Sequence, residues 1–370
     1  MPAVAHINKF WGRDRGGVEA VLAATVADLR RRAWRVSVLA CRPWYSLPRM
    51  FPAGVAGIEL ASPVLARMPV HPGFPRALAR TAAGADLVHF HLPFPLAEAA
   101  ALALPKRAPW VATVHAEVWG RSPALTWCQR SVTARFLQRV DAIIVSTDSA
   151  ARTATLRPHA DKTHTIPFGF DLAPFARAAE RRPRSQIPVV LFLGRLVAYK
   201  GVDVLLHAAR DLPAEVHVVG AGPERERLER MARQLGIAAR VRFWGHLADE
   251  ELPVRFAAAD LLVLPSRTRA ETFGVVQVEA MAAGLPVVNT ALQTGTDWVS
   301  EHGITGLTVA PDDAAALAAA LRRLIEDRSF RLECGWRAQR RAREFFSIER
   351  RGGELEALYR DLLCRRTNTQ

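Results

Sequence analysis

Two glutamates, Glu271 and Glu279, stand eight residues apart in the stretch covering residues 265–288, PSRTRAETFGVVQVEAMAAGLPVV. The separation exceeds one helical turn. Glu271 is therefore expected on a loop, and Glu279 within a helix that starts near Phe273 and Gly274. Free backbone N–H groups at that helix start would face the same pocket. Carboxylates suit sugar hydroxyls and N–H groups suit phosphate, so together they imply a nucleotide-sugar site.

A diphosphate also needs counter-charge. Arg195 and Lys200 lie five residues apart in GRLVAYKG, after an apolar run and before a helical pattern. An arginine fork and a lysine point charge on one loop suit a pyrophosphate. Lys200 is one of only four lysines in an arginine-rich chain. No D-x-D triplet occurs, so no metal site is expected, and stabilisation of the leaving group falls to Arg195, Lys200 and the helix start at Gly274. His91 and His115 each end an apolar run, where parallel strands deliver functional groups. Gly16 and Gly17 follow a short strand and precede a helix, so their backbone could approach a phosphate or sugar closely. VVGAGPERERL at 218–228 looks like a dinucleotide fingerprint, but Arg225 takes the third glycine position and no acid ends the next strand, which leaves a tight turn.

The elements that must position these residues alternate between strand and helix. Strands are expected at 4–7, 36–39, 86–90, 109–114 and 142–145, with a helix over 18–32. Residues 42–76, rich in proline, read as irregular; Trp44, Tyr45, Met50 and Phe51 alternate there with Arg42 and Arg49. The alternation restarts at Val189–Leu193 and continues through 216–219, 241–243, Leu261–Leu264 and 286–288, with a helix capped by Asp312 and an arginine-rich helical tail. Two doubly wound α/β domains facing a cleft are expected: residues 1–172, a polar linker 173–187, residues 188–345, and a final helix 346–370 packing back toward the first domain.

The 370 residues favour two domains. Half the residues are hydrophobic and 23% are charged, as in an ordinary globular protein. No apolar run is long enough for a membrane span, and MPAVAHINKF does not read as a signal peptide. Four scattered cysteines without a CxxC pair suit a reducing cytosol. Most of the +14 net charge falls in residues 1–170, with 21 basic and 10 acidic side chains. That asymmetry predicts an anionic partner for the first half. No recognition-helix or RNA-platform motif is present, so the expected partner is an anionic membrane surface or lipid phosphate, met from the cytoplasmic side of the plasma membrane, and not a nucleic acid.

The chain resembles the retaining GT-B glycosyltransferases of family 4. The resemblance rests on the Gly16-Gly17 loop, on Gly194-Arg195-Leu196 with Lys200-Gly201, and on Glu271 and Glu279 within AETFGVVQVEAMAAGLPVV. It implies a GT-B fold of two Rossmann-like domains and a hexosyltransferase activity without a cofactor, the nucleotide-diphosphate sugar being substrate. Glu271 would hold hydroxyls of the donor sugar and Glu279 the ribose. Arg195 and Lys200 would hold the diphosphate, with Phe273 and Gly274 at the helix start. Gly16 and Gly17 would close on the phosphates, and His115 would lie near the donor sugar. His91, at its own strand end, is expected on the acceptor side independently of the resemblance. The segment NTALQTGTDWVSEHGITGLTV further resembles transferases that build surface polysaccharides, which makes GDP-mannose the expected donor and a glycan or lipid-linked species the expected acceptor. A UDP- or dTDP-sugar, or a nucleotide-sugar epimerase of the same fold, is the alternative. Two positions depart from the family pattern: Ala116 stands where an acid often follows the histidine, and Phe168 where asparagine is frequent.

Overall fold

The computed structural model describes residues 1–12, 17–65, 68–116, 123–180 and 187–367. It divides into two α/β units: residues 1–170 with 348–370, and residues 171–347.

The first unit runs β1 (Ala3–Phe10), α1 (Gly17–Arg31), β2 (Arg35–Pro43), β3 (Ala56–Ser62), β4 (Val64–Leu65), β5 (Met68–Pro69), α2 (Phe74–Ala83), β6 (Leu87–Leu92), α3 (Pro95–Leu102), β7 (Trp110–Val114), α4 (Pro123–Arg139), β8 (Ala142–Val145), α5 (Asp148–Ala151) and β9 (Thr163–Thr165). Seven strands form one parallel sheet in the order β3-β2-β1-β6-β7-β8-β9. Helices cover both faces, so strands such as LVHFHL and AIIV are buried along their whole length.

The second unit runs α6 (Ala173–Glu180), β10 (Val189–Leu193), α7 (Val202–Ala208), β11 (Glu215–Val219), α8 (Arg225–Gln234), β12 (Val241–Gly245), α9 (Leu252–Ala257), β13 (Leu261–Leu264), α10 (Val275–Ala282), β14 (Val287–Thr290), α11 (Gly295–Val299), β15 (Gly306–Val309), α12 (Ala314–Glu326) and α13 (Arg328–Phe346). Its six parallel strands lie in the order β12-β11-β10-β13-β14-β15. The last helix, α14 (Ile348–Thr367), belongs to the first unit, where Leu355, Leu358, Tyr359 and Leu362 share a core with Leu22, Val26 and Leu29 of α1.

In each sheet the chain first builds outward on one side of its opening strand, then returns to build on the other. The reversals fall between β1 and β6 and between β10 and β13. At such a switch point the loops leaving neighbouring strands part at the carboxyl edge and open a crevice for ligands.

Several local expectations give way. Residues 173–180, expected as linker, form α6, whose Phe175 packs edge-on against Phe256 of α9; residues 181–186 of that linker lie outside the described residues. The stretch 42–76 is not wholly irregular, since β3 pairs in register with β2 over seven residues and extends the sheet. Helices α2 and α3, each with proline at its first turn, were not foreseen. The cap of α12 is Asp313, whose carboxylate accepts from Ala316 N at 2.8 Å, and not Asp312, which has a positive φ and bonds Arg267 instead.

Candidate active site

The crevice between β10 and β13 collects the second-unit residues expected at the site. The loop leaving β10 makes one tight turn, Ala198–Lys200, and ends at Gly201 in the left-handed conformation. A Cβ at Gly201 would lie 2.0 Å from the Pro265 carbonyl oxygen, so only glycine lets this loop lie directly against the one leaving β13. That approach brings Lys200 Nζ to 2.5 Å from Glu271 Oε2, with the two side chains 12% and 10% exposed. Ser266 Oγ, fully buried, donates to the same carboxylate oxygen at 3.0 Å. Thr294, the N-cap of α11, donates to the Glu271 carbonyl at 2.8 Å. Glu271 is thus held from three directions, and its Oε1 carries no protein partner among the described residues. Lys200 Nζ has three donors, of which Glu271 takes one.

Gly274 caps α10 in the left-handed conformation, and a Cβ there would meet Leu264 Cδ2 at 2.7 Å and Gln277 Nε2 at 2.8 Å. The helix start is thereby pressed onto the end of β13. Phe273 is buried beneath it, edge-on to Phe346. Glu279 lies just over one turn into α10 and is partly exposed. Arg195 is exposed, with no side-chain partner among the described residues, and stands on the same exit loop as Lys200. The Gly220 and Gly222 turn lines this loop: a Cβ at either would come within 2.3 Å of the Gly194 or Leu196 carbonyl oxygen. Those glycines serve close loop packing.

Sequence reasoning missed three residues here. Ser266 fixes Glu271. Arg267 ties the two loops together through Asp203, Asp312 and the Ala198 carbonyl. Buried Gln277 joins Asn289 at 2.9 Å and secures α10 on β14. A hydroxyl and an arginine beside a candidate carboxylate were visible in PSRTRAE, but their partners are distant in sequence.

The histidines occupy the first unit. Side chains alternate along a strand, so His6 shares a sheet face with Val4, His89 and His91 with Leu87, and Thr113 and His115 with Val111. That face is covered by α1 and α14. Burial of these rings ranges from complete to 7% exposed. His6 Nδ1 is 3.0 Å from His91 Nε2, and His91 Nδ1 is 2.9 Å from His115 Nε2. His89 hydrogen-bonds the Tyr359 hydroxyl with one nitrogen and Thr113 Oγ1, at 2.7 Å, with the other. Burial, aided by the charge of Arg351, pushes His6 and His115 down to about 3, and His89 and His91 well below the usual histidine range. His115 ends its strand with its ring stacked on Phe168. His91, expected on the acceptor side, is 1% exposed with both nitrogens committed, so it is an internal member of the cluster and not an acceptor contact.

His6, His89 and His91 bring nitrogens within 4.8 Å of one another, close enough to share an ion. A cation fits them poorly: Arg351 is buried, fully cationic at neutral pH even though burial lowers it to about 10, and acts on all three rings, while both His89 nitrogens are taken. Gly16 lies outside the described residues, and Gly17 is the exposed first residue of α1. No helix among the described residues is long and apolar enough to cross a membrane.

Residues 15–174 match the model of Glycosyltransferase Family 4, and residues 177–341 that of Glycosyl transferases group 1. The chain is 32% identical over 276 residues to the D-rhamnosyltransferase WbpZ of Pseudomonas aeruginosa, covering 72% of this chain and 71% of that protein. It is 30% identical over 283 residues to the O-antigen chain mannosyltransferase C of Escherichia coli, covering 75% and 76%. Among solved structures, a sucrose-phosphate synthase from Thermosynechococcus elongatus superposes with a TM-score of 0.81 at 25% identity over 99% of this chain and all of that one. Anabaena HepE in complex with UDP superposes with a TM-score of 0.78 at 23% identity over 98% of this chain and all of that one, which shows the shared fold. The chain therefore belongs to the family 4-like GT-B glycosyltransferases and is a hexosyltransferase.

Proposed function

We propose that the chain moves a mannosyl residue from GDP-mannose to a glycan or lipid-linked acceptor in surface polysaccharide or glycolipid synthesis, with retention at the anomeric carbon. The observation that carries this reading is the Lys200–Glu271 pair at the β10/β13 switch point, beside Arg195 and the start of α10. Glu271, with one oxygen tied down, offers Oε1 to a hydroxyl of the donor sugar. Lys200 keeps donors for the diphosphate next to that sugar, and Arg195 and the first N–H groups of α10 add to it. Glu279, further along α10, takes the ribose. Mannose is favoured by the mannosyl- and rhamnosyltransferase relatives, and by a GDP-mannose-dependent relative from Mycobacterium tuberculosis that is 32% identical over 267 residues.

The bond from the anomeric carbon to the diphosphate breaks as the bond to the acceptor oxygen forms on the same face, and the acceptor's proton passes to the leaving phosphate oxygen. Negative charge grows on that phosphate, where Arg195, Lys200 and the helix start stabilise it. Glu271, already bonded by a lysine and a serine, serves as a hydroxyl acceptor and not as a nucleophile. The acceptor binds the basic first unit. In that unit Trp44, Tyr45, Leu47 and Met50 stand at least two-thirds exposed on one loop, which supports peripheral contact with an anionic membrane from the cytoplasmic side.

A thermal-shift screen of nucleotide sugars tests the reading. GDP-mannose at 100 times its Kd should stabilise the protein by about 2.7 kcal/mol. Preferential stabilisation by a UDP- or dTDP-sugar would reassign the donor.

A further inference from the structure

The first unit holds an apolar cavity of about 190 Å³ at the amino edge of its sheet, walled in part by Ala79, Ala82 and Ala83 of α2, Phe90 of β6 and Trp110, the first residue of β7. Protein interiors are close-packed and seldom leave such a space. It is larger than the roughly 150 Å³ of an apolar cavity that stays dry and takes up benzene. The three alanines share one helix face, and longer aliphatic side chains there would fill the void.

The opposite wall is pinned in place. Arg139 lies over the Trp110 ring and donates to the carbonyls of Ala101, Leu102 and Leu104 at 2.8–3.1 Å. Lys106 Nζ donates to the Arg139 carbonyl at 2.8 Å and to Asp141 Oδ1 at 2.6 Å, and the Trp110 N–H donates to Asp141 Oδ2 at 2.7 Å. The cavity is therefore a built feature of the unit.

Arg107 lines this cavity and also a basic depression beside it. Lys106, Arg107, Arg365 and Arg366 face that depression, against Asp141 as its one acid. Asp141 is already held by Lys106 and Trp110, and Arg365 pairs with Asp361 at 2.8 Å. Arg107 and Arg366 are exposed and carry no ion pair among the described residues. An apolar cavity bordered by two uncompensated guanidinium groups complements a hydrocarbon chain that ends in an anion.

We propose that the first unit binds one single-chain anionic amphiphile, with its hydrocarbon tail in the cavity between Ala82 and Trp110 and a phosphate head on Arg107 and Arg366. The site lies at the start of β7, and His115 lies beyond its other end. The amphiphile is accordingly a bound ligand of the first unit and not the acceptor of the transfer. The inference rests on the first unit alone and is independent of the donor reading above.

Calorimetric titration of the full chain with hexyl phosphate tests the site. One molecule should bind per chain, with inorganic phosphate and hexanol each at least tenfold weaker. Butyl phosphate should bind about fifteenfold more weakly than hexyl phosphate, the worth of two buried methylenes. Ala82→Leu should fill the cavity, keep or raise Tm, and weaken hexyl phosphate binding at least tenfold. Replacing Arg107 and Arg366 together by glutamine should weaken hexyl phosphate at least tenfold, the worth of about one charge-assisted hydrogen bond, and leave hexanol unchanged. Hexyl phosphate binding that is not saturable, or inorganic phosphate binding as tightly as hexyl phosphate, would overturn the proposal. Equal hexyl phosphate affinity in a folded Ala82→Leu protein would also overturn it. If Ala82→Leu does not fold, equal affinity in the double arginine variant would do the same.

Discussion

Lys200 Nζ and Glu271 Oε2 lie 2.5 Å apart on loops that leave adjacent strands, with each side chain nearly out of water. Their separation in sequence is 71 residues, and the close approach depends on a glycine next to the lysine. A cation and an anion held in this way fix each other, and each retains an unused atom for a ligand.

Removing one partner should leave an uncompensated charge in a largely dry place. Lys200→Met and Glu271→Gln should each destabilise the protein by about 3 kcal/mol in urea denaturation. The double variant should fall short of the sum by about 1–3 kcal/mol. Lys200→Met should also lower kcat/KM about 100- to 1,000-fold through lost charge stabilisation. Additive stabilities would mean that the pair is not coupled in solution.

Gly201 should not tolerate a side chain. Gly201→Ala places a Cβ 2.0 Å from the Pro265 oxygen at a φ of +67°. A cost of about 2–4 kcal/mol is expected from the strained backbone and the overpacked loop, together with weaker donor binding. Gly236→Ala provides the control: its φ is +72°, but nothing lies within 4 Å of the new Cβ. It should cost only about 1–2 kcal/mol and leave donor binding intact.

The buried histidines should make the fold acid-sensitive. The folded-state values of His6 and His115 are depressed to about 3, from an ordinary 6.5. The unfolded chain therefore binds more protons below pH 6.5, and stability falls as pH drops from about 7 toward 3. Each of the two should contribute a loss of about 2 kcal/mol between pH 7.5 and pH 5. Unfolding free energies at those two pH values should show a smaller loss in His115→Asn. An equal loss would mean that His115 is protonated in the fold.

Vesicle binding should depend on the exposed loop of the first unit. Replacing Trp44, Tyr45 and Met50 by serine should reduce the fraction bound to anionic vesicles at least tenfold, by roughly the transfer energy of one or two such side chains. Unchanged flotation of the variant would remove this loop from any membrane contact.

The candidate donor loops were legible in the sequence because their signals are local. Glu271, Gly274 and Glu279 sit within nine residues, and the apolar runs around them mark the strand and the helix. The partners of Glu271 were not legible, because Lys200, Ser266 and Thr294 converge only through strand order. The histidine cluster was half visible. LVHFHL places His89 and His91 on one face, but His6 and His115 join them only once β1, β6 and β7 are neighbours, and the cover comes from α14 at the far end of the chain. Strand β3 escaped notice because prolines on both sides disguised a parallel edge strand, and α6 because its polar composition resembled a linker while Phe175 alone anchors it in the core.

The most direct measurement is calorimetric titration of GDP-mannose into the unaltered protein and into the Arg195→Ala, Lys200→Ala double variant. If these two cations hold the donor's diphosphate, the double variant should bind at least 100-fold more weakly, about 2.7 kcal/mol, while circular dichroism shows that it remains folded. Equal affinity of the two proteins would contradict the assignment of the β10/β13 crevice as the donor site.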